Sequence, residues 1–412
     1  MGTKVFLGWR VVIGSGVGIA FGSAVFLASS FALLSSAIGS QFGWSQTELA
    51  KAASLFLLFQ MLTYPICGWA LDKWGSFKVA TASIALFALA LFLLSQMTNS
   101  LTQFYLVFVF MGLVTSGTNV ISYARAITLW FNRRRGIALG VAAGFQAVGA
   151  FTMPLMMQKI IASSGWVTAV LALACIELLI CLPLVALLVK NSPEPFGLLP
   201  DGDLASSVAV PAQSKDNGAV ITFRDLMCTP TFWKLAISFA IMGLSFYGVV
   251  TNNVFILTES AGLSLSQVAQ LAATTGVMVL FGRIGFGYLL DRIHAPKIGV
   301  MTLAFAAVWC CIYAMATSYG VIVLGAIAAG LSIGGESDLM PYLAGRYFGA
   351  QAVSKVFGWF LCAFYVGAAI GPVAFAQASK ALGGASIPLY AIAALQIIPA
   401  LLFLSLGAYK KE

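Results

Sequence analysis

Five ionisable side chains interrupt the long apolar stretches of this sequence: Arg125, Glu177, Arg283, Glu336 and Asp338. A charge inside a bilayer is expensive and marks function by default. Arg283 lies eight residues before Asp291, hence ~12 Å from that end of its helix at about 1.5 Å per residue. That is too deep for easy snorkelling to the surface. Gly282, Gly285 and Gly287 surround it and leave room for a close neighbour or a ligand. A guanidinium stays charged and can hold a carboxylate through two parallel N–H···O bonds. The chemistry expected at Arg283 is therefore recognition of an organic carboxylate; the competing reading is a structural ion pair with an acidic neighbour.

Glu336 and Asp338 stand two residues apart in Gly334-Gly335-Glu336-Ser337-Asp338-Leu339-Met340-Pro341-Tyr342. On a helix that spacing is ~200° of rotation, so the two cannot face one cavity. A carboxyl in an apolar wall can take up a proton and carry it across. Glu336 is read as the proton-coupling group and Asp338 as the partner of a basic residue, with the reverse assignment left open. Arg125, ~7 Å inside its helix end, either reaches lipid phosphates or pairs with Asp338 in one state of the protein. Glu177 reads as a neutral, hydrogen-bonded structural acid.

These residues need long helices to carry them. The chain has 412 residues, 60% apolar and 8% charged, with mean hydropathy +0.97. Soluble domains carry about 25% charged residues, and a span takes ~20 apolar residues as a helix. A soluble enzyme, a nucleic-acid binder and an outer-membrane barrel are excluded; the expectation is a polytopic all-α membrane protein. Apolar runs place twelve helices near 9–38, 47–70, 78–97, 101–130, 136–162, 166–189, 231–257, 266–290, 297–317, 320–345, 353–378 and 386–408. The first run is too long for a signal-peptide core.

The net charge of +9 is a topology signal. Of 22 Lys and Arg, 17 fall on one predicted side, 3 (Lys51, Lys159 and Lys380) on the other, and Arg125 and Arg283 in the membrane. The positive-inside rule then makes both termini cytoplasmic. Lys4, Lys215, Arg224, Lys410 and Lys411 count among the 17. Seven cysteines without a CxxC pattern, and the single histidine His294, offer neither a metal site nor a nucleophile–base pair. No cofactor, metal or catalytic residue is expected.

The two ends of the chain repeat. A shift of 219 residues lays Gly43, Ser45, Glu48 and Ala50 on Gly262, Ser264, Gln267 and Ala269, and Gly68, Asp72 and Lys78 on Gly287, Asp291 and Lys297. Ser45–Glu48 and Ser264–Gln267 both read as capping boxes. The organisation expected is a six-helix half at 1–190, a cytoplasmic linker at 191–230 and a second half at 231–412. Two parallel halves enclosing a midplane site are the plan of a transporter.

Gly68-Trp69-Ala70-Leu71-Asp72-Lys73-Trp74-Gly75-Ser76-Phe77-Lys78 resembles the loop 2–3 signature of the major facilitator superfamily. Gly8-Trp9-Arg10-Val11-Val12, Trp130-Phe131-Asn132-Arg133-Arg134-Arg135-Gly136 and Pro193-Glu194-Pro195-Phe196-Gly197-Leu198-Leu199-Pro200-Asp201-Gly202 narrow the resemblance. They are similar to bacterial relatives of the monocarboxylate transporters and oxalate/formate antiporters.

The resemblance implies that an arginine at the place of Arg283 binds the substrate carboxylate. It also implies that Asp72, Asp291, Lys73 and Arg292 gate the cytoplasmic helix ends; Arg125, by its predicted depth, would join the gate through Asp338 in the outward-facing state alone. Aligning Trp130-Phe131 with Tyr347-Phe348, a shift of 217, puts Glu336 opposite Asn119, on helices that line the cavity in that superfamily. Two departures bear on substrate. Val279 stands where animal monocarboxylate transporters have an acidic residue, and Lys355 lies at the start of helix 11 rather than deep within it. One fixed cation suits a monoanion.

Polar groups expected in the pocket are Asn119 and Tyr123, read as i and i+4 on one face of helix 4, with Tyr247 and Asn252 on helix 7. Phe26, Phe364 and Tyr365 are candidates for its apolar wall, although each aromatic equally suits helix packing. The function expected is transport of a small monocarboxylate, lactate-like or aromatic, by proton symport in a bacterial inner membrane, as a monomer. Anion exchange and a non-transporting receptor of the same fold are the alternatives.

Overall fold

The computed structural model describes residues 6–202, 227–260, 262–315, 318–349 and 352–409. Residues 203–226 of the predicted linker, with Lys215 and Arg224, lie outside the described residues, as do Lys4, Lys410 and Lys411.

Twelve helices are present among the described residues: α1 (Leu7–Phe42), α2 (46–74), α3 (76–95), α4 (101–130), α5 (135–164), α6 (166–188), α7 (230–260), α8 (Leu265–Leu290), α9 (Ala295–Met315), α10 (Tyr319–Phe348), α11 (Val353–Ala381) and α12 (Ser386–Leu404). Among the described residues nine continuous stretches are long and apolar enough to cross a membrane, two of which hold a helix pair, and α4 contributes a shorter apolar helix, Leu101–Val114. The pairs turn at Gly75 (φ 82°, ψ 161°) and Gly165 (φ 83°, ψ 167°), a left-handed backbone region that glycine enters without steric cost. Leu179, Phe151 and Leu187 are 70–73% exposed, an apolar outer surface that only lipid covers without penalty.

Both predicted capping boxes form. Ser45 Oγ accepts from the Glu48 N–H and the Glu48 carboxylate accepts from the Ser45 N–H at 2.8 Å; Ser264 and Gln267 repeat this at the start of α8, with the second bond at 3.0 Å. The repeat read from the residues is thus a repeat of local structure.

Several helices are not continuous. α1 breaks at the extended Gly22 and passes through a π turn at Phe26–Ser30. α4 stops at Val114, makes a 3₁₀ turn at Ser116–Thr118, and resumes at Val120 after an extended Asn119 (φ −96°, ψ 175°). α6 carries a π turn at Glu177–Cys181 and α7 another at Ile256–Ser260. Such turns free backbone groups and concentrate at functional positions.

The chain forms two compact units: Met1–Arg133, Val141–Ala209 and Val353–Gly358 make the first, and Arg134–Gly140, Val210–Ala352 and Trp359–Glu412 the second. The first turns of α5 and α11 are therefore each grouped with helices from the other sequence half. Phe56, Phe87, Phe104, Phe108, Met153 and Trp166 form the core of the first unit; Leu271, Trp309, Tyr313, Phe375 and Leu389 form that of the second.

Three sequence motifs that lie far apart in the chain meet in the first unit. Asp201 accepts from the Asn132 and Arg133 N–H groups at 3.0 and 2.7 Å, the Phe196 ring packs 5.9 Å from that of Trp130, and Trp9 lies edge-on to Phe131 at 5.3 Å.

Candidate functional site

α8 and α10 approach closely because glycines stand where they touch. A Cβ on Gly334 would meet the Val279 carbonyl at 2.5 Å and the Arg283 nitrogen at 2.7 Å; one on Gly282 would meet the Leu331 Cα at 3.1 Å. This contact brings the Arg283 side chain, 6% exposed, onto the polar face of α10. Its Nη1 lies 3.8 Å from Asp338 Oδ1, and its Nη2 donates to Ser337 Oγ at 3.4 Å. Ser337 in turn donates to the Ile333 carbonyl at 3.1 Å.

Asp338 is 1% exposed, and among the described residues neither of its oxygens has a hydrogen-bond donor. A charge-assisted N–H···O bond closes at about 2.7–2.9 Å, so this pair is held apart. Gly140, in the first turns of α5, completes the site: a Cβ there would stand 2.5 Å from the Arg283 carbonyl and 3.4 Å from Asp338 Oδ2. Gly285 is the glycine beside Arg283 with no neighbour within 4 Å of a built Cβ.

Arg125 has a partner the sequence reading did not name: its Nε lies 3.3 Å from Asp72 Oδ1 in the first unit. Within the second unit Asp338 faces Arg283.

The two gate aspartates sit at equivalent places. Asp72 has Ser354 and Lys355, at the start of α11, as neighbours besides Arg125. Asp291 follows the last residue of α8 and accepts from the Gly136 and Ile137 N–H groups at 2.6 and 3.0 Å, thereby capping α5. A helix N-terminus offers unpaired donors and a positive dipole end, so the carboxylate is well placed there. Burial raises the Asp291 pKa above the ordinary carboxylate value; the two N–H groups, Arg346 and Arg135 draw it back. Close packing again requires glycine: a Cβ on Gly287 would stand 2.7 Å from the Gly136 carbonyl, and one on Gly136 would collide with the Gly287 carbonyl. Lys73 lies over the Trp69 ring of its own helix at 4.9 Å, and Arg292, just past α8, over Tyr288 at 4.3 Å.

The remaining pocket candidates separate. Asn119 and Tyr123 do not share a helical face, because Asn119 precedes the helical segment that contains Tyr123. The Asn119 amide donates to Tyr64 Oη at 3.2 Å and accepts from the Ala24 N–H at 3.3 Å, tying α4 to α2 and α1. Tyr123 is fully buried, its phenol against Gly18 of α1 and near Glu177 and Cys181 of α6. Phe26 is likewise fully buried, edge-on to Phe87 at 5.9 Å, and belongs to the first unit's core rather than to a pocket wall. In the second unit Tyr247, Phe364 and Tyr365 do come together, with ring centroids 6.1 and 6.4 Å from Tyr247. Asn252 donates to Gly248 O at 2.8 Å and Pro372 O at 3.3 Å, a bond that joins α7 to α11.

Glu336 turns away from Asp338. It is 8% exposed and lines a small cavity inside the second unit with Ser245 of α7, Trp309 and Cys310 of α9, and Gln396 of α12. Ser245 and Gln396 were not anticipated, nor were Ser337, Gly140 and the Gly136–Ile137 amides. The repeat did hold a signal for Gln396, since the 219-residue shift lays Glu177 on it.

A bundle of apolar helices with paired charges buried in its interior defines a multi-pass membrane carrier. The chain belongs to the Major Facilitator Superfamily, whose family model matches residues 7–372. Members of that family are membrane transporters, not enzymes. Over 346 residues the chain is 25% identical to the MFS transporter asaE of Aspergillus flavus, covering 82% of this chain and 73% of that one. It is 24% identical over 281 residues to Monocarboxylate transporter 12 of Xenopus laevis, covering 64% and 60%. The crystal structure of the human organic anion transporter MFSD10 superposes with a TM-score of 0.73 at 14% identity, over 96% of this chain and 99% of that one, and so shares the fold.

Proposed function

We propose that this chain is a secondary active transporter that moves a small monocarboxylate, lactate-like or aromatic, together with a proton by alternating access. The observation that carries the reading is the buried Arg283 guanidinium, held 3.8 Å from a carboxylate that has no other donor. A substrate carboxylate arriving at Arg283 can form the two short N–H···O bonds that Asp338 does not. Asp338 serves as counter-ion to the empty site. One fixed cation balanced by one fixed anion leaves a place for a single added negative charge, and a proton taken up with the substrate keeps the loaded site from gaining net charge. The similarity to a monocarboxylate transporter supports the substrate class.

Asp72–Arg125 and the Asp291 cap on α5 act as gate contacts that must break during the cycle, with Lys73 and Arg292 beside them. Tyr247, Phe364 and Tyr365 supply an apolar wall. The carrier works as a monomer in a bacterial inner membrane with both termini cytoplasmic.

Calorimetric titration of the purified protein with benzoate and with benzamide tests the carboxylate site. Benzoate binds the wild type, benzamide does not, and Arg283→Ala abolishes the difference. Equal binding of acid and amide by the wild type would overturn the assignment.

A further inference from the structure

The cavity on the other side of α10 is polar where it has no structural need to be. Oε1 of Glu336 and Oγ of Ser245 are both buried, 8% and 6% exposed by residue, and neither makes a hydrogen bond within the protein. Both line the same space. A buried polar atom left unpaired costs about 1–3 kcal/mol, and more if charged. Two such atoms on one wall mark a place where water or another small ligand completes the bonding.

Of the other polar groups there, Trp309 Nε1 is a third buried atom without a hydrogen bond among the described residues, while Gln396 and Ser332 are engaged elsewhere. The Gln396 amide N–H donates to the Ile392 carbonyl at 3.2 Å, and Ser332 donates to the Thr302 carbonyl at 3.0 Å. The rest of the lining is apolar, Phe246 included, with the Cys310 thiol. The free space has room for only a water or two, far too little for an organic acid.

The charges around Glu336 decide what the site takes. The titratable groups that face it are Tyr247 of α7 and Cys310 of α9; α12 presents Gln396, and α10 itself Ser332. Among the described residues, no Lys, Arg or His lines the cavity. A carboxylate there has no counter-cation, whereas Asp338, two residues on, has Arg283 at 3.8 Å.

We infer that this cavity is a water-filled proton site, and that Glu336 carries the proton that accompanies the substrate. Hydronium reaching the cavity water gives its proton to the Glu336 carboxylate, which leaves neutral water and a carboxylic acid; release reverses the step. The acid O–H and the Ser245 hydroxyl are then both satisfied by the water. Counting Arg283, Asp338 and Glu336, the site has the same net charge when empty with Glu336 ionised as when loaded with a monocarboxylate and Glu336 protonated. The inference rests on the proton-symport reading and assigns its proton to one side chain.

Infrared difference spectroscopy of the protein in lipid, between acid and alkaline pH and with no substrate, tests it. The wild type should show a pH-dependent C=O stretch of a protonated carboxyl that shifts in D₂O. The band should vanish in Glu336→Gln and survive in Asp338→Asn. Ser245→Ala keeps the carboxyl and removes a hydrogen-bond partner, so the band should move to higher frequency.

A band that persists in Glu336→Gln and disappears in Asp338→Asn would move the proton to Asp338 and overturn the inference. A band unmoved by Ser245→Ala would overturn the hydrated site even if Glu336→Gln failed to fold. Failure of symport itself has a different signature: acid uptake by the wild type indifferent to a proton gradient, with the Glu336 band unchanged.

Discussion

Arg283 and Asp338 face each other across the α8–α10 contact at 3.8 Å, close enough to neutralise one another and too far to close a short hydrogen bond. Glycines at 282 and 334 set that approach, because their missing side chains let the two backbones meet. The pair is thus a product of helix packing.

If Arg283 grips substrate through two charge-assisted bonds at ~1.5–3 kcal/mol each, removing them weakens binding by at least about a hundredfold, at 1.4 kcal/mol per factor of ten. Arg283→Lys keeps the charge but loses the planar fork, and should recover only part of the affinity. Titration with benzoate measures both; full affinity in Arg283→Lys would show that charge alone is recognised.

The Asp72–Arg125 contact at 3.3 Å predicts a charge-swap outcome. Asp72→Arg and Arg125→Asp each lose uptake, and the double variant recovers it in part, with a coupling of roughly 0.5–3 kcal/mol expected of contacting residues. Swapping Arg125 with Asp338 should give no recovery. Rescue in that second pair, and not in the first, would sink the assignment.

Gly136→Val places a branched side chain where α5 meets the Gly287 carbonyl. Overpacking of this kind costs about 1–3 kcal/mol, so the melting temperature in detergent should fall. Gly285→Val, at a position with no neighbour within 4 Å, should leave it nearly unchanged. Equal losses in the two would contradict the close α5–α8 approach.

Asp291 yields a pH dependence. Its folded pKa is raised by burial above the ordinary value of 3.8, so between the two values the folded protein binds more protons than the unfolded chain. Stability contributed by this group is then full below the ordinary value, falls as pH rises towards the raised one, and is level above it. Asp291→Asn should remove that slope from a series of melting curves taken across the acidic range. A wild-type slope of opposite sign would place the folded pKa below 3.8.

Much of the fold was legible because its signals are local. Apolar runs and two capping boxes fix helices and their starts without knowledge of packing. An acidic neighbour for Arg283 was one of its two readings, because a permanent charge deep in an apolar run needs a partner. Partner choice was not legible. The Arg125–Asp72 pair was not foreseen, because which side chains meet depends on the rotation and tilt of each helix. Asn119 was misplaced because the break at Ser116–Thr118 resets the helical phase, and nothing in Thr115-Ser116-Gly117-Thr118 but a glycine hints at it. Phe26 shows the limit for aromatics: a ring near a predicted midplane suits a core as well as a pocket.

The most direct test is uptake of labelled lactate and benzoate into proteoliposomes, with and without an inward proton gradient, for wild type and Arg283→Ala. The account predicts gradient-driven accumulation of at least one acid by the wild type, and its loss in the variant. Accumulation that survives Arg283→Ala would contradict the carboxylate site, and uptake that needs a counter-substrate and ignores the gradient would make the protein an exchanger.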